Sequence, residues 1–282
     1  MRKDSLAILD NTPDIDVLVM VKNSYKYLKT FFSLFHRIKY PRDKLHFIFS
    51  YGRSSDKTLK YLKKMSKRFN IEVYREPADR NLLKYGQFMG ACIWDDWKSL
   101  VSSPFFLHLD VHIEEAPSDF ILKLLSYDED IVAPYVYLKD QAQFYDTWIF
   151  RKNNMRLHPK YPHGQGFNEP IELDSVGTCI LGKSNILKEV DINNPYPEIS
   201  LCESAISNGY RVLGDPSTII FHHNIAKEGI VHYPLPQELG RYPINDFATS
   251  LLPARTLSGA VSYTHLRAHE TRHDLVCRLL LE

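Results

Sequence analysis

Residues 16–21 (DVLVMV) are apolar after the leading Asp16, the mark of a strand buried on both faces. The following NSYKYLKTFFSLFHRI sets Tyr27, Leu28, Phe31, Phe32, Leu34 and Phe35 at a helical period, and KLHFIFSY returns to a strand. SSDKTLKYLKKMSKRF predicts a second helix, with Leu59, Leu62 and Met65 as its apolar stripe and Ser54 or Ser55 as its cap. IEVYRE reads as a third strand, YGQFMGACIWDDWKSL as a third helix and SPFFLHLD as a fourth strand. This alternation predicts an α/β fold, a mostly parallel sheet with helices on both faces.

Beyond the fourth strand the pattern loosens. PSDFILKLLSY predicts a helix, DIVAPYVYL a strand, ELDSVGTCILGK a strand, LCESAISNGY a short helix, and RVLGDPSTIIFHH a turn with a terminal strand. The polar and aromatic stretch 139–170 is too long for a simple connection, which points to a functional loop or small subdomain. No repeat or low-complexity block interrupts the chain. The expected organisation is an N-terminal extension (1–15), one domain (16–225) and a C-terminal extension (226–259). In 260–282, His265, His269 and His273 mimic a metal site at helical spacing, but the segment resembles a translated sequencing adapter and is set aside as non-native.

Composition narrows the function. The 282 residues are 44% hydrophobic and 24% charged, as in a globular protein. A net charge of +1 gives no general attraction to nucleic acid or anionic membranes. No apolar run reaches the roughly 20 residues of a transmembrane helix, so no integral membrane segment is expected. Asp4, Asp10, Asp14 and Asp16 argue against a signal peptide. Cys92, Cys179, Cys202 and Cys277 form no C-x-x-C and read as reduced and structural, implying a cytoplasmic location.

The candidate chemistry begins at FFLHLDVHIEE, where an apolar strand ends in Asp110 and His112. In open α/β sheets ligands gather at the carboxyl ends of strands. Side chains two apart on an extended chain point the same way, so both residues are placed to face one ion. A carboxylate with an imidazole suits Mn²⁺ or a related divalent ion better than Ca²⁺, which prefers oxygen; Mg²⁺ is the alternative cofactor. Such an ion would bridge a diphosphate and neutralise a leaving group. The alternative is a solvated turn.

Several segments in order resemble the GT-A glycosyltransferases, which move a sugar from a nucleotide-diphospho-sugar to an acceptor. The KN after the first strand, the YP before the second, the SSDKT after it and LHLDVHI at the place of the D-x-D metal motif carry the resemblance. His112 stands where the family has its second Asp. DIVAPYVYLKDQAQFYDTW and IELDSVGTCILGKSNIL resemble segments of fungal mannan-polymerase mannosyltransferases, and the first also resembles collagen galactosyltransferases.

The resemblance implies transfer of a hexose to a sugar or glycoconjugate hydroxyl, with Asp110, His112 and His222 as metal ligands; His223 competes with His222. It places Val21, Lys22, Asn23, Gly52, Arg53, Asp56, Asp110 and Gly177 against the nucleotide-sugar. Glu198 and Glu203 compete for the position of a general base, and Asp174 is placed to hold sugar hydroxyls. Each has a plainer reading. Lys22 and Arg53 suit a solvated loop, Asp56 a helix N-terminus, Gly52 a turn and Glu203 a helix surface; Tyr145 with Trp148, candidates to stack on a sugar or acceptor, suit simple packing. Two rival functions stand beside transfer: a nucleotidyltransferase, whose usual glycine-rich phosphate loop is missing from KNSYKY, and a non-catalytic nucleotide-binding domain.

Overall fold

The computed structural model describes residues 12–76, 89–140, 143–157, 159, 169–192 and 196–225. The 1–11 part of the N-terminal extension, the C-terminal extension, the adapter-like tail and Cys277 lie outside them. The first half alternates as expected: β1 (Ile15–Val21), α1 (Tyr25–Arg37), a 3₁₀ turn (Arg42–Lys44), β2 (Leu45–Tyr51), α2 (Thr58–Met65), β3 (Asn70–Arg75), α3 (Met89–Leu100) and β4 (Phe105–Leu109). Then follow β5 (Ile113–Glu115), α4 (Phe120–Leu125), β6 (Ile131–Leu138) and the short β7 (Gln143–Phe144), β8 (Arg151–Lys152), β9 (Met155–Arg156) and β10 (Ile171–Glu172). β11 (Cys179–Lys183), α5 (Ser184–Glu189), α6 (Pro197–Ser207) and β12 (Val212–His222) complete the described chain.

The central sheet has the order β10-β12-β6-β11-β4-β1-β2-β3. β3, β2, β1 and β4 run parallel, with Leu18 opposite His108 and Val21 opposite Tyr51. β11 enters antiparallel between β4 and β6, and β12 lies parallel to β6. The carboxyl ends of β1, β2 and β4 therefore share one edge of the sheet, where Lys22, Gly52 and Asp110 emerge.

Continuous apolar strands arise because both faces are covered. Ile15, Val17, Val19 and Val21 of β1, with Phe47 and Phe49 of β2, pack against Phe31, Phe32 and Phe35 of α1. Leu18, Ile48 and Phe106 join Trp94 and Trp97 of α3 in a second cluster on the other face. At the far end of β1, the fully buried Asp16 accepts the amides of Ser102 and Ser103 at 2.6 and 2.7 Å and meets His46 Nδ1 at 2.9 Å. One carboxylate thus ties the starts of β1 and β2 to the turn before β4.

Three local expectations change. Neither Ser54 nor Ser55 caps α2; Asp56 Oδ1 accepts the Thr58 amide at 2.9 Å, because Ser54 Oγ instead takes the Asn23 amide at 3.0 Å. ELDSVGTCILGK is not one strand. It divides into β10 and β11 around a turn in which Thr178 has a φ of 53°. The expected turn at Asp215-Pro216 is a bulge within β12, with the register to β6 shifting between Asp215 and Ile219. A bulge accommodates Pro216, which has no amide for the ladder.

Candidate metal and nucleotide-sugar site

Asp110 follows β4 directly, and its own side chain builds the next turn. Oδ1 accepts the His112 amide at 3.0 Å, and the Asp110 carbonyl accepts the Ile113 amide at 3.1 Å. The chain therefore turns without Gly, Asn or Pro, and Asp110 and His112 face each other through this turn rather than along an extended strand. His112 Nδ1 lies 2.6 Å from Asp110 Oδ1. β5 then pairs with the end of β12, setting Ile113 opposite His222. That pairing carries His222 Nε2 to 3.3 Å from Asp110 Oδ2. One ligand atom from each of Asp110, His112 and His222 lies within 4.8 Å of the others.

The environment orients these rings. His222 is fully buried, and its Nδ1 is 2.5 Å from the His223 carbonyl. A carbonyl only accepts, so Nδ1 carries the hydrogen and Nε2 turns a lone pair toward Asp110. Two acceptors facing each other require a cation between them, a second proton on His222 or a metal ion. Tyr145 stacks on His222 at 3.8 Å, and Tyr27 of α1 meets the His112 ring edge-on at 4.2 Å. Burial pushes the Asp110 carboxyl up, but the charges and hydrogen bonds of His112 and His222 outweigh it and hold the group well below the carboxylate range. The donor set, one carboxylate and two imidazoles, fits a divalent ion of the Mn²⁺ kind. His223 is engaged elsewhere, with Nδ1 2.6 Å from Glu114 Oε1.

The loops after β1 and β2 interlock on the same sheet edge. Val21 O accepts the Gly52 amide at 2.9 Å, and a Cβ on Gly52 would stand 3.3 Å from Lys22 Cβ. Asn23 adopts a φ of 51° and accepts the Ser55 amide at 2.8 Å through Oδ1. Both Asp56 oxygens are engaged, by the Tyr25 and Thr58 amides at 2.9 Å each. Burial alone would raise this carboxyl, yet these hydrogen bonds hold it below its ordinary value. Lys22 and Arg53 are exposed at the rim.

The two candidate bases part company. Glu198, in the first turn of α6, is nearly buried, with Oε1 3.9 Å from His108 Nε2. Burial pushes its carboxyl up to about 7; a backbone hydrogen bond opposes this and the Asp110 charge adds to it. His108 packs between Trp94 and Trp97, and burial lowers it to about 4, so the ring is neutral. Glu203 lies one and a half helical turns on and is exposed. Asp174 Oδ2 accepts the Asn154 amide at 2.5 Å, supporting the β8–β9 hairpin. Gly177 accommodates Ile149; a Cβ there would be 2.8 Å from Ile149 Cγ2. Trp148 lies under the Arg156 guanidinium at 4.3 Å.

Sequence reasoning passed over His108, Asp146 and Thr178. The Thr178 hydroxyl donates to the Asp146 carboxylate. Burial pushes Asp146 up to about 8, opposed by that hydrogen bond and reinforced by the charges of Glu198 and Asp110. The one local signal was Gly177, expected to let the backbone approach a sugar; its close neighbour in the structure is the Ile149 side chain. A separate polar cavity of about 350 Å³, lined by Asp14, Lys44, His46 and Ser103, lies at the opposite end of the strands from Asp110.

No family model and no curated protein matches the sequence. Solved structures do match. The fold is similar to S. aureus TarS 1-349 (11% identity, TM-score 0.51, covering 75% of this chain and 61% of that one). It is also similar to the mannosyltransferase PcManGT of Pyrobaculum calidifontis, solved with GDP-Man and Mn²⁺ (11% identity, TM-score 0.51, covering 78% and 62%). GalNAc-T7, solved with UDP, GalNAc and Mn²⁺, matches at 14% identity and a TM-score of 0.53, covering 76% and 44%. The architecture is that of the GT-A glycosyltransferases. This chain spans less than two thirds of the length of each of those structures. Among the described residues, no helix is long and apolar enough to cross a membrane.

Proposed function

We propose that the chain is a metal-dependent glycosyltransferase, moving a hexose from a nucleotide-diphospho-sugar to a hydroxyl of a glycan or glycoconjugate. One observation carries the reading: Asp110, His112 and His222 converge at the carboxyl edge of a GT-A sheet, beside the interlocked loops after β1 and β2. Those three side chains would hold the ion, of which Mn²⁺ fits the two imidazoles best. When bound, a divalent ion supplies charge neutralisation to the departing diphosphate. Val21, Lys22, Asn23, Gly52, Arg53 and Asp56 form the nucleotide side, with Lys22 and Arg53 as its cations. Asp174 and Gly177 belong to the acceptor-side segment, where Asp174 keeps one oxygen for a sugar hydroxyl. Glu198 is the group placed to take the acceptor proton, since a carboxyl near 7 is half ionised at neutral pH. Glu203, being exposed, is the weaker choice for that role.

Calorimetry with UDP and GDP, with and without Mn²⁺, tests this reading. Metal-dependent nucleotide binding is expected, followed by donor hydrolysis with one class of nucleotide-sugar. Binding that ignores Mn²⁺ would leave a nucleotide-binding domain without the proposed chemistry.

A further inference from the structure

Thr178 occupies the left-handed region with a φ of 53°, where a β-branched side chain is a true outlier. Such strain persists only when the surroundings fix it, and it concentrates at functional sites. Three contacts fix it here. The Thr178 hydroxyl donates to Asp146, and the Thr178 carbonyl accepts the Asp110 amide at 3.1 Å. Gly177, just before it, seats against Ile149, whose own amide bonds the Asp146 carbonyl at 3.2 Å. Asp146 is 3% exposed, and among the described residues its Oδ2 has no hydrogen-bond partner. Keeping a buried carboxyl half-satisfied is costly, and a serviceable apolar packing of this turn would not need it.

We propose that Asp146 and Thr178 form a buried clasp that sets the place of Asp110, which makes Asp146 a positioning residue for metal binding. The inference rests on reading Asp110 as a metal ligand and adds what holds it. Apart from the turn it makes with His112 and Ile113 and its contact with His222, Asp110 is anchored to the neighbouring β11 turn by its amide, so displacing that amide displaces its carboxylate. The amide is tied to the Thr178 carbonyl, and Thr178 is held in its left-handed state by Asp146. Supports of this kind behind a metal ligand fix its orientation and tune affinity.

The test uses the whole chain in four forms: unaltered, Asp146→Asn, Thr178→Ser, and the double variant Asp146→Leu/Thr178→Val. Mn²⁺ affinity is read by electron paramagnetic resonance, and amide hydrogen exchange is read at Asp110 and at Leu107. Leu107, in the middle of the same strand and paired to β1 and β11, reports stability alone. Asp146→Asn and Thr178→Ser keep an acceptor and a donor and should bind Mn²⁺ like the unaltered chain. The double variant replaces both polar partners by apolar groups of similar shape, which spares stability. It should lose roughly 10–100-fold in Mn²⁺ affinity, and its Asp110 amide should exchange faster while Leu107 stays protected. Unchanged affinity with an unchanged Asp110 amide would overturn the proposal. If the unaltered chain binds no Mn²⁺, the metal reading fails by itself, and faster or unchanged exchange at Asp110 still decides the clasp. Should the double variant lose Leu107 protection, Thr178→Gly replaces it: glycine relieves the backbone while removing the hydroxyl, and the same readings apply.

Discussion

Replacing Glu198 by Gln should make the protein more stable at alkaline pH and cripple it as a catalyst. Burial, opposed by a backbone hydrogen bond and helped by Asp110, lifts the folded-state carboxyl to about 7 from an ordinary 4.5. The unfolded chain releases this proton near the ordinary value, so the folded state binds more protons between the two. Stability attached to Glu198 is therefore intact below the lower value and is lost as pH rises toward the upper one. A gap of about 2.5 units corresponds to about 3 kcal/mol at 1.36 kcal/mol per unit. Glu198→Gln has no proton to lose. In urea unfolding with EDTA present, it should match the unaltered chain near its acid limit and exceed it by about 3 kcal/mol above roughly pH 8. The same variant should slow transfer by roughly 10²–10⁴-fold, the usual worth of a general base. A stability difference that does not change with pH, or a Glu198→Gln protein weaker at alkaline pH, would refute this account of the site's electrostatics.

Other expectations follow from the same geometry. Asp110→Asn should abolish Mn²⁺ binding in calorimetry, and it should shrink the pH dependence just described because it removes a charge facing Glu198. His112→Asp should keep nucleotide binding and shift metal preference toward Mg²⁺, an oxygen-seeking ion; a titration with both metals reads this. Asp16→Ala should cost roughly 1–3 kcal/mol by thermal unfolding, since it leaves the half-buried His46 ring and the Ser102 and Ser103 amides without their acceptor. Its partner His46 is raised, chiefly by the hydrogen bond to Asp16, so the pair's stabilisation is present below the ordinary histidine value and fades as pH rises through the folded one. Gly182→Ala should cost about 1–3 kcal/mol in the same assay, because its Cβ would stand 2.6 Å from the Phe106 ring.

What was legible in the sequence is what short-range pattern encodes. The runs at β1, β2 and β4 are buried on both faces, so their apolar character is unbroken and the parallel sheet can be read from them. Asp110 and His112 were visible because a polar pair abruptly ends an apolar strand, and His222 only through the resemblance to the GT-A family's terminal histidine. The antiparallel entry of β11 between β4 and β6 was not visible, because a strand's direction leaves no mark on its hydrophobic period. Asp146 lies in an aromatic stretch where nothing distinguishes a buried carboxyl from an exposed one. Thr178 is a strand-favouring residue in a conformation its side chain disfavours, so propensity pointed away from the turn it makes. His108 sits unmarked within an apolar strand; only the packing of Trp94 and Trp97 against it and the arrival of α6 bring it opposite Glu198.

The most direct test of the central claim is release of nucleoside diphosphate from a panel of UDP- and GDP-sugars, measured for the unaltered chain and for Asp110→Asn, each with Mn²⁺ and with EDTA. The account predicts release by the unaltered chain with Mn²⁺ from one donor class, and none in the other three conditions. Release that persists in EDTA, or that Asp110→Asn retains, would contradict a transferase built around Asp110, His112 and His222.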